Sequence, residues 1–102
     1  MAVVSINKSN FDALVKENKK LLIDFYADWC GPCRMVAPII HEIAEEREDI
    51  TVGKINVDEN MELAMQFGIV SIPTIIVMEN GEVAEKMVGA RSKSEIIAAI
   101  EK

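Results

Sequence analysis

The chain predicts an α/β domain built on a mixed central sheet of five strands with four helices flanking it. Three observations lead there. Short apolar runs alternate with helical patterns along the first two thirds of the sequence, an order that favours parallel strands joined by right-handed crossovers. Residues 21–26 are too apolar for a strand with one wet face and read as a central strand covered on both sides. Asn80-Gly81 between two apolar runs is a strong hairpin signal, which adds an antiparallel pair. At 102 residues the chain is long enough for one core, so residues 1–102 read as one domain.

In order, residues 3–6 form a short apolar run that predicts a strand. Asn7-Lys8-Ser9-Asn10 then offers N-cap residues, with Ser9 or Asn10 expected to accept from the first free helix N–H groups. Phe11, Leu14 and Val15 recur at i, i+3 and i+4 and give the first helix one apolar face, to about Asn18. Lys19-Lys20 is the expected turn into Leu21-Leu22-Ile23-Asp24-Phe25-Tyr26. A long helical pattern, residues 34–48, carries Val36, Ile39, Ile40 and Ile43 at helical spacing. Pro38 lies inside it, removes one hydrogen bond and is expected to kink it. Residues 50–57 form a third strand, with Val52, Lys54 and Asn56 sharing one face.

Asp58-Glu59-Asn60 opens a short helix with Leu63, Ala64 and Phe67 inward and Gly68 as its stop. Residues 69–73 read as a loop and 74–78 as a strand, which the hairpin returns as 83–88, with Gly89 ending it. Ser92 with Glu95 three residues on is a capping-box pattern for a last helix bearing Ile96, Ile97 and Ile100. There is no internal repeat, low-complexity tract or linker.

Composition narrows the function. Half the residues are hydrophobic and 27% are charged, which fits an ordered globular chain and not a disordered one. The net charge of −6 and the lack of a basic stripe argue against nucleic acid; Lys19-Lys20 and Arg91 with Lys93 are short pairs at turns. No apolar run approaches a membrane span. Residues 1–5 show no signal-peptide pattern, so the expected location is the cytoplasm, where stable structural disulfides are uncommon. Monomer is the default expectation.

The chemistry concentrates in Trp29-Cys30-Gly31-Pro32-Cys33, which holds the only tryptophan and both cysteines. Cysteines at i and i+3 can be bridged when the second sits in the first turn of a helix. Gly31 permits the tight turn, and Pro32 suits a first helical turn, where its missing N–H costs nothing. The first cysteine then faces the positive helix end, which favours thiolate over thiol. Cys30 is the expected attacking thiolate, and Cys33, nearer the helix body and expected to be less exposed, the resolving thiol. A metal site needs about four ligands, whereas only two cysteines and His41 are at hand. A structural disulfide or inert buried cysteines are the blander alternatives.

Asp24 is the second signal. A carboxylate in a central strand is costly to ionise, so its pKa is expected to rise. Either backbone donors satisfy it, or it accepts the proton of Cys33, through water or directly, as Cys33 attacks a mixed disulfide. Lys54, on a neighbouring strand, is its candidate partner. His41 reads as a surface helix residue among glutamates. The methionines, among them Met35, Met61, Met65 and Met78, read as core and rim filler.

These residues together resemble the thioredoxin family over nearly the whole length. The run from Asp24 to Cys33 followed by Pro38 is similar to its active-site segment. Ser71-Ile72-Pro73-Thr74 is similar to its cis-proline loop, and Val88-Gly89-Ala90 to the border of its substrate groove. The resemblance implies the thioredoxin fold and a dithiol–disulfide oxidoreductase that reduces disulfides in protein substrates. It further implies re-reduction by a flavin-containing thioredoxin reductase using NADPH, and no bound cofactor beyond a redox-active Cys30–Cys33 disulfide. By position it makes Cys30 the nucleophile, Cys33 the resolving thiol and Asp24 the acid/base beside Lys54. Pro73 faces the disulfide, and Trp29, Gly31, Pro32, Ile72, Pro73, Gly89 and Ala90 form the substrate groove. Tyr26 stands where many members carry tryptophan, and Phe67 where many carry tyrosine. Trp29 is thereby the sole indole reporter of redox state. The alternative function is a binding module of the same fold that holds a partner in the groove without turnover.

Overall fold

The computed structural model describes residues 2–102. Its elements are β1 Val4–Ser5, α1 Phe11–Glu17, β2 Lys20–Tyr26, α2 Gly31–Glu46, β3 Thr51–Asn56, α3 Met61–Gln66, β4 Thr74–Glu79, β5 Glu82–Val88 and α4 Lys93–Glu101. They form the predicted mixed sheet, in the order β1-β3-β2-β4-β5. β3 is parallel to both β1 and β2, while β4 is antiparallel to β2 and to β5.

β2 lies in the middle because its sequence can be covered from both sides: Leu21 through Phe25 are all buried. Alternation then sorts its side chains. Leu22 joins Val36, Ile40, Ile43, Val52 and Ile96 in the core beneath α2 and α4. Ile23 and Phe25 join Phe11, Ile55, Leu63 and Ile76 beneath α1 and α3. Asp24 shares the parity of Leu22, and Lys54 that of Val52, so both belong to the α2 face. Phe67 closes the opposite core, with its ring 5.6 Å from Phe11 and 5.4 Å from Phe25.

Local chemistry sets the ends. The hairpin turns at Asn80 (φ 54°) and Gly81 (φ 83°), left-handed conformations that explain the Asn-Gly pair. The capping box at α4 is complete: Ser92 Oγ accepts from the Glu95 N–H, and Glu95 Oε1 accepts from the Ser92 N–H. α2 runs through Pro38 as one helix. Lys93 ties the start of α4 to α2 through Glu42 and Glu46, at 2.6 and 2.7 Å.

Several expectations need correction. The side chain at the N-cap of α1, Asn10, makes no cap hydrogen bond. Asn7 organises that turn instead: its Oδ1 accepts from the N–H groups of Ser9 and Asn10, and its carbonyl accepts from Phe11. Lys20 belongs to β2 and not to the turn, because it pairs with Glu79 across the sheet. β1 is only two residues long. Ala64 is half-buried rather than inward, since the short α3 turns only Leu63 fully into the core. Of the methionines read as core and rim filler, Met78 is in the core, and Met35, Met61 and Met65 stand on the surface.

Candidate active site

Cys30 is the N-cap of α2, with extended backbone (φ −87°, ψ 113°). Gly31 and Pro32 start the helix, and Cys33 completes its first turn. The Cys33 N–H points back and donates to Cys30 Sγ at 3.2 Å. That is where the unpaired N–H groups and the positive end of a helix meet. The two cysteines are bonded to each other, with Cα atoms 5.3 Å apart.

Exposure does not separate the two sulfur residues as expected. Cys30 is 4% and Cys33 3% exposed. Both belong to one buried cluster with Ala27, against which Tyr26, Val57 and Ile72 pack. Their surroundings separate them instead. Cys30 Sγ lies 3.8 Å from the Ile72 carbonyl oxygen. Cys33 faces a cleft shared with Asp24.

Asp24 is 3% exposed and pairs in register with Lys54. Its Oδ1 has no hydrogen-bond partner, so backbone donors do not satisfy that oxygen. Burial pushes its pKa up to about 7, against the pull of the Lys54 ammonium. Lys54 in turn lies 5.8 Å from the centre of the Tyr26 ring.

The opposite wall is the loop before β4. The Ile72–Pro73 peptide bond is cis. Thr74 Oγ1 donates to the Ser71 carbonyl at 2.7 Å and closes the loop. The Gly89 N–H donates to the Pro73 carbonyl at 2.8 Å, which ties the end of β5 to the same loop. A Cβ on Gly89 would meet nothing within 4 Å, so its glycine is explained by φ 94° and not by crowding within the chain. Pro73 is buried, Ile72 is half-buried, and Gly31, Pro32 and Ala90 are exposed.

Some neighbours of the site were not legible beforehand. Trp29, 68% exposed, donates its indole N–H to Asp58 Oδ2 at 2.8 Å. Asp58 reads in sequence only as a helix opener, and no spacing links it to residue 29. Val70 and Val88 are exposed apolar residues next to the predicted groove residues; exposure of a single valine leaves no sequence signal. Among the described residues no group of three or more His, Cys, Asp or Glu side chains is placed to hold a metal ion. Among the same residues no helix is long and apolar enough to cross a membrane.

Comparison with known proteins agrees with this geometry. The sequence model of the thioredoxin family matches residues 2–102. A thioredoxin of Alicyclobacillus acidocaldarius subsp. acidocaldarius is 43% identical over 100 residues, covering 97% of this chain and 95% of that protein. A bifunctional thioredoxin reductase/thioredoxin of Mycobacterium leprae is 47% identical over 90 residues, 87% of this chain and 20% of that protein. The solved structure of a mutant thioredoxin from Halobacterium salinarum superposes with a TM-score of 0.92 at 37% identity, covering 98% of this chain and 88% of that one. The chain belongs to the thioredoxin family and is a dithiol–disulfide oxidoreductase, a protein-disulfide reductase whose redox pair is Cys30 and Cys33.

Proposed function

We propose that this thioredoxin-family chain acts as a single domain and divides the reaction among its residues as follows. The Cys30 thiolate attacks a substrate disulfide, forming a mixed disulfide and releasing one substrate thiolate, which takes a proton from solvent. Cys33 then gives its proton to the Asp24 carboxylate and attacks Cys30 Sγ. The Cys30–Cys33 disulfide forms, and the second substrate thiolate leaves. Two electrons pass to the substrate, and no bound cofactor takes part.

The observation that carries this reading is the cleft shared by Cys33 and Asp24, with an unpartnered carboxylate oxygen at its wall. A carboxyl held at about 7 can accept a proton near neutral pH and give it back. Lys54 steadies the ionised form. The Cys33 N–H, which meets Cys30 Sγ in the disulfide, is placed to support a Cys30 thiolate in the reduced form. Trp29, Gly31, Pro32, Ile72, Pro73, Gly89 and Ala90 form the substrate groove, where Pro73 has no N–H to compete with an incoming peptide. The Mycobacterium leprae relative, named as a reductase and a thioredoxin together, supports a thioredoxin reductase as the electron source, which the family resemblance implies is flavin-containing. The proposed setting is a cytoplasmic monomer.

Reduction of a disulfide-bonded protein tests the division. Cys30→Ser is expected to fall to background, and Cys33→Ser to accumulate a mixed disulfide with substrate. Asp24→Asn is expected to slow the second step by about 100-fold, the lower end for general acid–base help. An undiminished second step in Asp24→Asn would remove Asp24 from the mechanism. Partner binding without turnover in the parent protein would make the chain a binding module.

A further inference from the structure

The cleft behind Cys33 and Asp24 has a volume of about 200 Å³. That is several times the roughly 30 Å³ share of one liquid water. At its wall stands the buried, unpartnered Oδ1 of Asp24. α2 contributes Cys33, Ala37 and His41, spaced at i, i+4 and i+8, so His41 lies on the face of the helix that carries Cys33, two turns on. His41 is itself exposed, which puts it where the cleft meets solvent.

Other polar groups also face this space. From β2 and the segment after it come Asp24, Tyr26 and Asp28; from α2, Arg34 and His41; from β3, Lys54. Arg34 stays protonated at all working pH values, and its guanidinium is engaged, donating to the Asp28 carbonyl at 2.8 Å. Burial pushes the Tyr26 phenol up, away from neutral pH. Ammonium and carboxylate side chains ordinarily keep one charge state at neutrality. Imidazole is the side-chain type that ordinarily both takes up and releases a proton between pH 5 and 8.

We propose that this cleft is the route by which the Asp24 proton exchanges with solvent, with His41 as the relay at its mouth. The inference rests on the reading of Asp24 as the acceptor for Cys33. After the second step the carboxyl holds a proton beside a closed disulfide, with substrate on the groove side. The Asp24 O–H bond breaks toward water in the cleft, a proton passes from that water to the His41 imidazole, and the imidazolium releases it to bulk. No electrons move. His41 touches none of the reacting atoms and acts only through Asp24.

Carboxyl ¹³C NMR of Asp24 in the oxidised full-length chain reads the exchange between its acid and carboxylate forms directly. Near pH 7, His41→Gln is expected to slow that exchange about fivefold, less than a group in direct contact with the reacting atoms contributes. Added imidazole is expected to restore it. Equal exchange rates in parent and variant at neutral pH overturn the relay, and so does a slowed rate that imidazole fails to restore. The two readings fail separately. A slow second step in Asp24→Asn with unchanged exchange in His41→Gln removes only the exit route, whereas an undiminished second step in Asp24→Asn removes the role of Asp24 itself.

Discussion

At the scale of single residues, the functional chemistry was largely written in side-chain types, and the contacts were not. Two cysteines three apart, flanked by Trp29 and Pro32, point to a redox site because a helix start can bring such a pair together and too few further ligands are at hand for a metal. Asp24 was conspicuous because a carboxylate in an apolar strand contradicts its surroundings. Asp58 gave no such contradiction, since an acidic residue before a helix is ordinary. Its contact with Trp29 joins residues 29 apart and depends on how α3 is set against the sheet. The bond holds an exposed indole in one orientation. Asp58→Ala should therefore raise KM for protein disulfides by about threefold, the effect of losing an exposed hydrogen bond worth under ~1 kcal/mol. The same change should shift Trp29 emission and leave reduction of a small disulfide reagent unaltered. Equal effects on both substrates would mean that the indole contact does not orient protein substrates.

At the scale of elements, periodicity and capping placed the helices and strands, and the differences arose at their ends. The capping box of α4 is a short-range pattern and was legible outright. The start of α1 was legible as a turn, but its capping group was not, because four consecutive polar residues offer competing acceptors and Asn7 takes the bonds. Lys20 belongs to β2 for a reason outside its own segment, the pairing with Glu79. The β1–β3 pairing hides another such dependence in Gly53. A Cβ there would collide with Cδ1 of the buried Ile6, and would lie 2.9 Å from its Cγ1 and 3.3 Å from the Val4 carbonyl oxygen. Ile6 is 2% exposed, so its side chain can shift only within the packed core. Gly53→Ala is thus expected to destabilise by about 1–3 kcal/mol, the usual cost of overpacking. Because Lys54 follows directly, the same variant should disturb the titration of Asp24. Urea unfolding and the Asp24 carboxyl midpoint read the two effects, and an unchanged stability would show that β1 yields freely.

At the scale of the whole molecule, one buried carboxyl should govern how stability responds to pH above 5. Asp24 titrates near 3.9 in an unfolded chain and at about 7 in the folded one. Between these values the folded state binds the extra proton, so the slope of unfolding free energy with pH is negative. Stability from this group is complete below about pH 4 and is lost as pH rises through 7. Some three pH units at about 1.36 kcal/mol each amount to about 4 kcal/mol, of which about 3 should fall between pH 5 and 8. Paired carboxylates act in the opposite sense: the Arg47 guanidinium holds Asp49 at about 2, and Lys93 lowers Glu42. Their effect belongs to pH below the ordinary carboxylate range, so the two regimes separate. The oxidised protein isolates the effect, because bonded cysteines do not titrate. Urea unfolding of oxidised parent and Asp24→Ala from pH 5 to 8 should show a falling curve for the parent and a nearly flat one for the variant. Any cavity left by the shorter side chain shifts the variant curve by a constant and cancels from the comparison of slopes. Parallel curves would mean that Asp24 ionises as easily inside the fold as outside it. A molecule that carries such a carboxyl gives up stability at neutral pH, a cost that a purely structural role for Asp24 leaves unexplained and a proton acceptor behind Cys33 requires.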